Sequence, residues 1–232
     1  MKAATKFPSL QAASDHSLLV TFGAGIDISL NERVHRLFLS LDRESPRGVV
    51  QLHPAYASLL VDFNPIETTY ADLEAEIILR LPESEEKAPA PARQFEVPVC
   101  YGLGFGPDLG AVSAHCGFTV EQVIERHFAT EYRVYFIGFS PGFPYLGGMD
   151  PALATPRLES PRKSVPAGSV AIGGNQTGIY PLSSPGGWRV IGRTPLRLFD
   201  PRRQPPALFQ MGDRVRFRPV TPRRFAELEG RG

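Results

Sequence analysis

The sequence between Tyr135 and Pro201 decides the fold, because glycine and proline recur in it every few residues. Its densest part reads FIGFSPGFPYLGG (136–148). Further along come VPAGSV (165–170), GIYP (178–181), SPGGW (184–188) and IGRTP (191–195). Short β-branched or aromatic runs separated by such residues favour short strands and tight turns over long helices. The pattern predicts a small closed β-barrel.

The glycines of this stretch have two interpretations. A crowded barrel needs glycine at its corners, where the chain turns sharply. A binding surface also needs glycine, because a strand without side chains lets a ligand or another backbone approach closely. The spacing leaves both interpretations open.

Length and composition indicate a globular protein. The 232 residues are 42% hydrophobic and 21% charged, enough for one large domain or two small ones. No apolar run approaches the roughly 20 residues that span a bilayer, and no signal-peptide pattern begins the chain. We therefore expect a soluble, cytoplasmic protein without a membrane partner. Cys100 and Cys116 fit reduced thiols better than a disulfide framework.

The net charge of +1 hides an uneven distribution. Residues 1–131 hold 10 Lys/Arg against 18 Asp/Glu, a net charge of −8, and residues 132–232 hold 15 against 6, a net charge of +9. Either two domains or two faces attract one another or a partner, or the basic half binds an anion such as a carboxylate or phosphate. Nucleic acid is disfavoured, because the arginines are scattered among turns without a nucleic-acid-binding motif.

The first part of the chain predicts an α+β domain. Residues 1–15 are expected to form a loose leader, and the expected elements then follow in the order strand, helix, strand, strand, helix, strand. They are placed at 18–22, from 29 to before Pro46, 49–53, 58–63, from Thr68 or Thr69 to before Pro82, and 95–100. This order is typical of a ferredoxin-like fold. The charged, proline-rich segment 83–91 predicts a linker, and thus domains at 1–90 and 91–232.

A glycine-rich run, GLGFG (102–106), precedes a helix that should begin near Asp108. The third glycine of a dinucleotide fingerprint would fall on Pro107, and the chain contains no P-loop. The remaining possibility is an anion held by free N–H groups at the helix start. Asp108 itself is expected mainly to satisfy the helix dipole.

Two further patterns resemble catalytic or metal motifs. His115, Cys116 and His127 match no zinc spacing, and Gly117 predicts a helix C-cap beside His115. The sequence TVEQ (119–122) has the form of a capping box that opens the next helix. GFSPG (138–142) has the spacing of a nucleophile elbow, but its proline would hinder the helix that must follow, so we expect no nucleophile there and no metal site.

The candidate ligand contacts lie in the barrel region. Arg157 and Arg162 each follow a proline, and a guanidinium grips a carboxylate or phosphate at two points. Gln176 and Tyr180 belong to a turn-rich segment whose side chains could face a cleft. Trp188, the sole tryptophan, suits either a barrel plug or a pocket wall.

The same motifs, together with QTGIYP (176–181), resemble the KipI-like, allophanate hydrolase subunit 1 family over nearly the whole chain. The resemblance implies an N-terminal α/β domain followed by a cyclophilin-like β-barrel. It also implies one component of a three-part 5-oxoprolinase, which works with a KipA-like partner and a third protein to hydrolyse 5-oxoproline to glutamate with ATP and Mg²⁺. Arg157 and Arg162 would then contact anions, and Asp108 or His115 would supply acid–base help.

The family resemblance leaves other functions open. Some relatives inhibit a sensor histidine kinase, and others are modules of biotin-dependent carboxyltransferases in urea metabolism. No AMKM biotin-attachment tetrapeptide occurs in this chain. Among these functions, the subunit of an ATP-dependent 5-oxoprolinase, inactive alone, is our expectation.

Overall fold

A computed structural model describes residues 7–86 and 92–230. The chain divides into two compact units, Met1–Pro91 and Ala92–Gly232. The predicted domain boundary at residue 90 lies beside this division. The predicted α+β class with a closed barrel is confirmed.

The first unit contains a four-stranded antiparallel sheet and two helices. Its elements are β1 (Ser9–Ser14), β2 (Ser17–Thr21), α1 (Ile28–Arg43), β3 (Val49–Pro54), β4 (Ser58–Phe63) and α2 (Tyr70–Glu86). The strand order is β1-β2-β4-β3. Strand β4 alternates buried and half-buried residues, so Leu59, Val61 and Phe63 point into the core between sheet and helices.

The origin of the edge strand differs from the prediction. The segment expected to complete the ferredoxin-like sheet, residues 95–100, pairs instead inside the barrel of the second unit. The position beside β2 is occupied by β1, which runs antiparallel to it with Leu10 opposite Val20. The expected loose leader is therefore wrong for Ser9–Ser14, and residues 1–6 lie outside the described part of the chain.

The two helices begin as predicted, but the second ends later. Asp27 caps α1, and the Thr69 hydroxyl accepts the backbone N–H of Asp72 at the start of α2. Helix α2 continues past Pro82, although proline removes a backbone donor. The helical turn just before Pro82 is anchored by tertiary contacts. Leu81 is buried, and Arg80 donates to the Ser40 carbonyl of α1 at 3.4 Å. The first part of the predicted linker is therefore helical, and residues 87–91 lie outside the described residues.

The second unit is a closed barrel with peripheral helices. Its strands are β5 (Gln94–Tyr101), β6 (Glu131–Ile137), β7 (Pro144–Gly147), β8 (Arg162–Val165), β9 (Ser169–Gly173), β10 (Gln176–Ile179), β11 (Ser184–Gly186), β12 (Arg189–Arg193) and β13 (Arg214–Pro219). Its helices are α3 (Leu109–Cys116), α4 (Val120–Ala129) and α5 (Pro222–Glu229). Seven strands close the barrel in the order β10-β7-β6-β13-β5-β12-β9, and β8 pairs with β11 as a separate ribbon.

Alternation along the barrel strands separates an inner core from an outer face. Val170 and Ile172 of β9 belong to the inner core, to which α3 and α4 add Val112 and Val123. Ala171, between the two β9 residues, belongs instead to a second cluster on the outer face. The barrel is thus filled inside, and one part of its outside is also apolar.

The predicted local features of this unit are present. Gly117 ends α3 in the left-handed conformation, and the capping box of Thr119 and Gln122 opens α4. The GFSPG run forms a turn that leads into strand β7 rather than a helix, as expected. Cys100 and Cys116 are both free thiols. No helix within the described ranges combines the length and apolar character that a membrane crossing requires.

Candidate functional site

An aromatic cleft lies on the outer face of the barrel beside the β8–β11 ribbon. We use "aromatic cleft" for the cavity of about 150 Å³ whose wall combines aromatic rings, one arginine and ribbon residues. The wall consists of Phe139, Phe143, Tyr145, Arg157, Leu158, Pro161, Tyr180, Gly186, Gly187 and Trp188. The sequence interpretation of Trp188 as a pocket wall therefore holds.

The rings of the cleft pack edge to face. Phe143 meets Trp188 at 5.6 Å between ring centroids with an interplanar angle of 89°, and Tyr180 at 5.2 Å and 87°. Tyr145 meets Trp188 at 5.8 Å and 73°. Edge-to-face contacts are the favoured geometry of aromatic pairs and hold the rings in fixed orientations. The wall is consequently preorganised.

Glycines inside the strands make room for these rings. A Cβ atom built on Gly173 of β9 would lie 2.5 Å from the Trp188 ring, and one on Gly178 of β10 would lie 2.9 Å from Phe143. A Cβ atom on Gly186 would lie 2.3 Å from the Tyr180 hydroxyl. Real Cβ atoms do not approach so closely, so each ring lies where a side chain is missing. The glycines therefore serve the outer aromatic layer, in addition to turns.

Arg157 extends over the cleft. Its guanidinium carbon lies 5.6 Å from the centroid of the Trp188 ring, a cation–π distance. The residue is exposed and makes no hydrogen bond or ion pair with any residue that the structure describes. Its five N–H donors thus remain available to a ligand.

Arg162 and Asp108 bind each other. The Arg162 Nη1 and Nη2 atoms donate to the two Asp108 carboxylate oxygens at 2.8 and 2.7 Å. Asp108 also accepts the backbone N–H of Val190 at 2.7 Å and is buried, with only 8% of its side chain exposed. The predicted anion contact at Arg162 and acid–base role at Asp108 are therefore replaced by an internal ion pair. That pair ties the β8–β11 ribbon to the start of α3 and to β12.

The two tyrosines of the cleft are neutral hydrogen-bonding groups. Burial raises the pKa of Tyr180, and a hydrogen bond from the Trp188 backbone and the positive charge of Arg157 oppose the rise. Burial also raises the pKa of Tyr145, against the positive charge of Arg157. Both phenols therefore stay protonated at neutral pH.

Phe139 lies at the mouth of the cleft in an unusual backbone conformation. Its φ angle is +62°, and the Ser140 N–H donates to the Gly138 carbonyl at 2.6 Å, which closes a γ-turn around it. A left-handed conformation is unfavourable for a residue with a Cβ atom. The residue is 63% exposed, and its ring forms T-shaped pairs with Phe143 and Tyr180 at centroid distances of 5.5 and 6.2 Å.

A second aromatic group, inside the barrel, surrounds His127. We call Tyr101, His127, Tyr132, Thr177 and Phe217 the histidine cluster. Thr177 donates to the Ala171 carbonyl, so its hydroxyl oxygen accepts from His127 Nε2–H at 3.0 Å. The other ring nitrogen, Nδ1, then accepts from the Tyr101 hydroxyl at 2.8 Å. Burial lowers the pKa of His127 from 6.5 to about 3, so the ring is neutral at neutral pH and serves as a structural group.

The remaining predicted residues lie outside the cleft wall. His115 is exposed in the last turn of α3, and its acid–base role stays a prediction. Gln176 is buried in β10 opposite Gly173. The amides of Gly102, Phe105 and Gly106 donate to backbone carbonyls, and a Cβ on Gly106 would lie 2.0 Å from the Ile191 carbonyl oxygen. The glycine-rich run thus allows close packing on β12 rather than the predicted anion site.

The basic half of the sequence is largely paired with carboxylates. Strand β13 lies between β5 and β6, where Arg214 and Arg216 contact Glu131 and Arg218 contacts Glu96. These carboxylates come from the acidic half of the sequence. Cross-strand pairing within the barrel therefore accounts for part of the charge asymmetry, and Arg157 carries the possibility of anion binding at the aromatic cleft.

A larger cleft lies elsewhere on the barrel unit. Its volume is about 460 Å³, and its wall includes Arg193, Arg197, Leu196, Phe199 and Glu229. Arg193 lies 3.6 Å from Glu229 and donates to the Ala167 carbonyl, and Arg197 lies 3.3 Å from Asp200. Both arginines therefore already have partners, unlike Arg157.

Metal ligation finds no support in the described residues. In 7–86 and 92–230, no group of three or more His, Cys, Asp or Glu side chains lies close enough together to hold a metal ion. Magnesium prefers oxygen ligands supplied by carboxylates and by substrate phosphates. Because one or two carboxylates and the phosphates suffice for a magnesium ion bound with ATP, the expected ATP and Mg²⁺ stay a prediction.

The family model for the carboxyltransferase domain, subdomain C and D, matches residues 8–209. The chain belongs to this family. A 5-oxoprolinase subunit of Bacillus subtilis is 40% identical over 218 residues, covering 90% of this chain and 91% of the relative. The corresponding 5-oxoprolinase subunit of Escherichia coli O157:H7 is 50% identical over 179 residues, covering 70% of this chain and 82% of that relative.

A solved structure extends the family relationship to three dimensions. The crystal structure of TTHA0988 superposes with a TM-score of 0.78 at 38% identity, over 88% of this carboxyltransferase-family chain. This chain spans 40% of TTHA0988. The family assignment confirms the relationship that the glycine- and proline-rich motifs indicated.

Sequence reasoning identified Arg157, Tyr180 and Trp188 as candidates but missed the other rings of the aromatic cleft. Phe139, Phe143 and Tyr145 belong to the glycine- and proline-rich run, which indicated a barrel turn rather than a wall. The structure shows the pattern that identifies such a wall once the register is known: Gly178 pairs with Tyr145 on a neighbouring strand, and Gly173 lies under Trp188. A glycine within a strand next to an aromatic residue on a neighbouring strand predicts a ring lying over the glycine.

Proposed function

We propose that this carboxyltransferase-family chain is one subunit of an ATP-dependent 5-oxoprolinase, which opens 5-oxoproline to glutamate. The observation that carries the proposal is the match to the 5-oxoprolinase subunit of Bacillus subtilis over nine-tenths of both chains. In the reaction, water adds to the lactam carbonyl carbon, the ring C–N bond breaks, and ATP is hydrolysed to ADP and phosphate.

The geometry supports a subunit that is inactive alone. The cleft holds one free cation, Arg157, and two neutral phenols, but its lining residues include no carboxylate or histidine that could act as a general base. We propose that a KipA-like partner and a third subunit supply the missing groups, and that ATP with Mg²⁺ binds where the partner completes the site. A positive charge beside an aromatic wall agrees with an anionic substrate such as 5-oxoproline.

Reconstitution tests the proposal. The chain alone, each pair of subunits and the three together are assayed for glutamate formation and for phosphate release with and without 5-oxoproline. We expect both products from the full mixture when 5-oxoproline is present, and neither from the chain alone. Phosphate release that is the same with and without 5-oxoproline would contradict the proposal.

A carboxyltransferase module is the second candidate, favoured by the family model itself. Carboxyl transfer from biotin would require a biotinylated carrier, which the reconstitution can include. Transfer to urea with this carrier, in the absence of glutamate formation from 5-oxoproline, would favour the second candidate over the first.

A further inference from the structure

We propose that the aromatic cleft binds a single small ring bearing a carboxylate, with the ring against Trp188 and the carboxylate on Arg157. The choice of 5-oxoproline as that ligand rests on the proposed function. The ligand class rests on the cleft itself, through its volume, its wall and its one free cation.

The volume limits the ligand to one ring. A cavity of about 150 Å³ is comparable to engineered apolar cavities that hold a benzene molecule. A nucleotide, with a base, a ribose and phosphates, needs a much larger site. The cleft is therefore matched to a metabolite of one ring.

The wall provides apolar contact for a ring and donors for an anion. Trp188 and Tyr180 are held by edge-to-face packing on Phe143, so their positions do not depend on a ligand. Arg157 lies above Trp188, and a guanidinium that stacks on an aromatic face can still direct its N–H donors outward to a carboxylate. A cyclic acid bound beside Arg157 and against the aromatic wall would contact apolar surface and positive charge together.

The Asp108–Arg162 ion pair explains why Arg157 rather than Arg162 takes the carboxylate. Both terminal nitrogens of Arg162 donate to the Asp108 carboxylate, which compensates the Arg162 charge and also accepts from the Val190 N–H of β12. Arg162 therefore stabilises the β8–β11 ribbon beside the cleft, and its positive charge also lowers the pKa of Tyr180 against the larger effect of burial.

Phe139 is assigned as the residue that covers the bound ring. Strained backbone persists where the surrounding structure or function requires it, and here the γ-turn presents an exposed phenyl ring at the mouth of the cleft. Its ring already forms T-shaped pairs with Phe143 and Tyr180. A ligand below it would bury apolar surface that is now exposed.

Fluorescence of Trp188 measures binding directly, because the chain has no other tryptophan. The isolated full chain is titrated with 5-oxoproline, with 2-pyrrolidinone, which lacks the carboxylate, and with glutamate, which lacks the ring. We expect a saturable change with 5-oxoproline and at least tenfold weaker binding of the other two. No saturable change with 5-oxoproline would overturn the proposal.

The Arg157→Gln variant tests the carboxylate contact. Losing a charge-assisted hydrogen bond should weaken 5-oxoproline binding by about 10- to 100-fold and leave 2-pyrrolidinone binding unchanged. Arg218→Gln is the matched control, since Arg218 pairs with Glu96 on β5 outside the cleft, and it should bind as the unaltered chain does. Equal affinity of the two variants for 5-oxoproline would refute the role of Arg157.

The Phe139→Gly variant separates ligand binding from folding. Glycine relieves the left-handed backbone, so we expect stability to be kept or raised, while loss of the ring should weaken 5-oxoproline binding about 2- to 12-fold. Leu103→Gly is the matched control, because Leu103 is also left-handed, at φ +46°, and 82% exposed outside the cleft wall. Unchanged binding in Phe139→Gly would remove Phe139 from the site.

The two proposals can fail separately. If Trp188 reports 5-oxoproline binding but the reconstituted complex forms no glutamate, the proposed function is wrong and the cleft assignment stands. If the complex forms glutamate but the isolated chain gives no fluorescence change, the cleft assignment is wrong and the proposed function stands.

Discussion

The histidine cluster and the aromatic cleft are built from similar residues but differ in how their polar groups are satisfied. Inside the barrel, each nitrogen of His127 has a partner, and the ring stacks on Phe217 at 4.6 Å. On the outer face, Arg157 lies over Trp188 with no partner among the described residues. The histidine cluster therefore has its ring nitrogens paired internally, whereas the aromatic cleft has a cation and an empty volume beside its rings.

This difference distinguishes polar residues with a structural role from those with a role in ligand binding. A buried polar group with every donor and acceptor paired contributes to the fold. A cation held over a preformed aromatic wall contributes nothing obvious to stability, because its attraction to the ring at an exposed site is weak. Variants in the histidine cluster should therefore change stability, and variants of Arg157 should change binding.

His127→Ala should produce the largest loss of stability. The substitution removes a ring packed against Phe217 and Tyr132 and leaves the hydroxyl groups of Tyr101 and Thr177 without their partner. We expect the free energy of unfolding of the barrel unit to fall by about 4 kcal/mol. Denaturant unfolding followed by Trp188 fluorescence measures it. His115→Ala is the control, expected within about 1 kcal/mol, and a similar loss in both variants would contradict the assignment.

Asp108→Asn should lower the free energy of unfolding by about 3 kcal/mol, less than His127→Ala. The amide keeps an acceptor but leaves the Arg162 cation without a counter-charge. The same denaturant titration applies. Glu96→Gln makes the equivalent change in an exposed pair with Arg218 and should cost less than about 1 kcal/mol. If Asp108→Asn were as mild as Glu96→Gln, the pair would not anchor the ribbon that forms the cleft.

Gly173→Ala should cost about 2 kcal/mol and disturb the cleft wall. The new methyl group would overlap the Trp188 ring and force it to move, as overpacking does. The change should appear both in unfolding and in the Trp188 emission maximum of the folded protein. Gly110→Ala is the control, since Gly110 lies exposed in α3 with open space at its Cβ, and it should gain up to about 1 kcal/mol. A neutral Gly173→Ala would mean that the ring does not rest on this glycine.

The pH dependence of unfolding should carry the signature of His127. Its pKa in the folded protein, about 3, is below the unfolded value of 6.5, so the unfolded chain binds the extra proton. The stabilisation that depends on neutral His127 is fully present above pH 6.5. As the pH falls towards 3 it is lost, and the free energy of unfolding decreases by up to about 1.4 kcal/mol per pH unit. The difference in slope between the unaltered chain and His127→Gln from pH 6.5 to 5 measures it. Identical slopes would contradict a neutral, buried histidine.

Local chemistry made much of the fold predictable. The helix starts near Ser29 and at Thr119 and the C-cap at Gly117 depend on neighbouring residues, and the structure has them as the sequence indicates. The barrel was predictable because closely spaced glycine and proline residues disfavour long helices and favour short strands joined by tight turns. The strand that completes the first sheet was not, because residues 9–14 and 95–100 both suit an edge and only tertiary pairing selects between them.

The site was less predictable, since it depends on contacts far apart in the sequence. Arg157 and Arg162 look equivalent in the chain, each following a proline. They differ because Asp108, 54 positions before Arg162, is buried beside only one of them. The aromatic wall likewise arises where glycines of β9 and β10 meet rings from other segments, which requires the strand register.

A crystal structure of the chain with 5-oxoproline would test most directly whether the unpaired cation and open wall form a ligand site. We predict the ligand in the aromatic cleft, with its carboxylate within hydrogen-bonding distance of Arg157 and its ring against Trp188. A ligand bound instead in the larger cleft between Arg193 and Arg197, with the aromatic cleft empty, would contradict it.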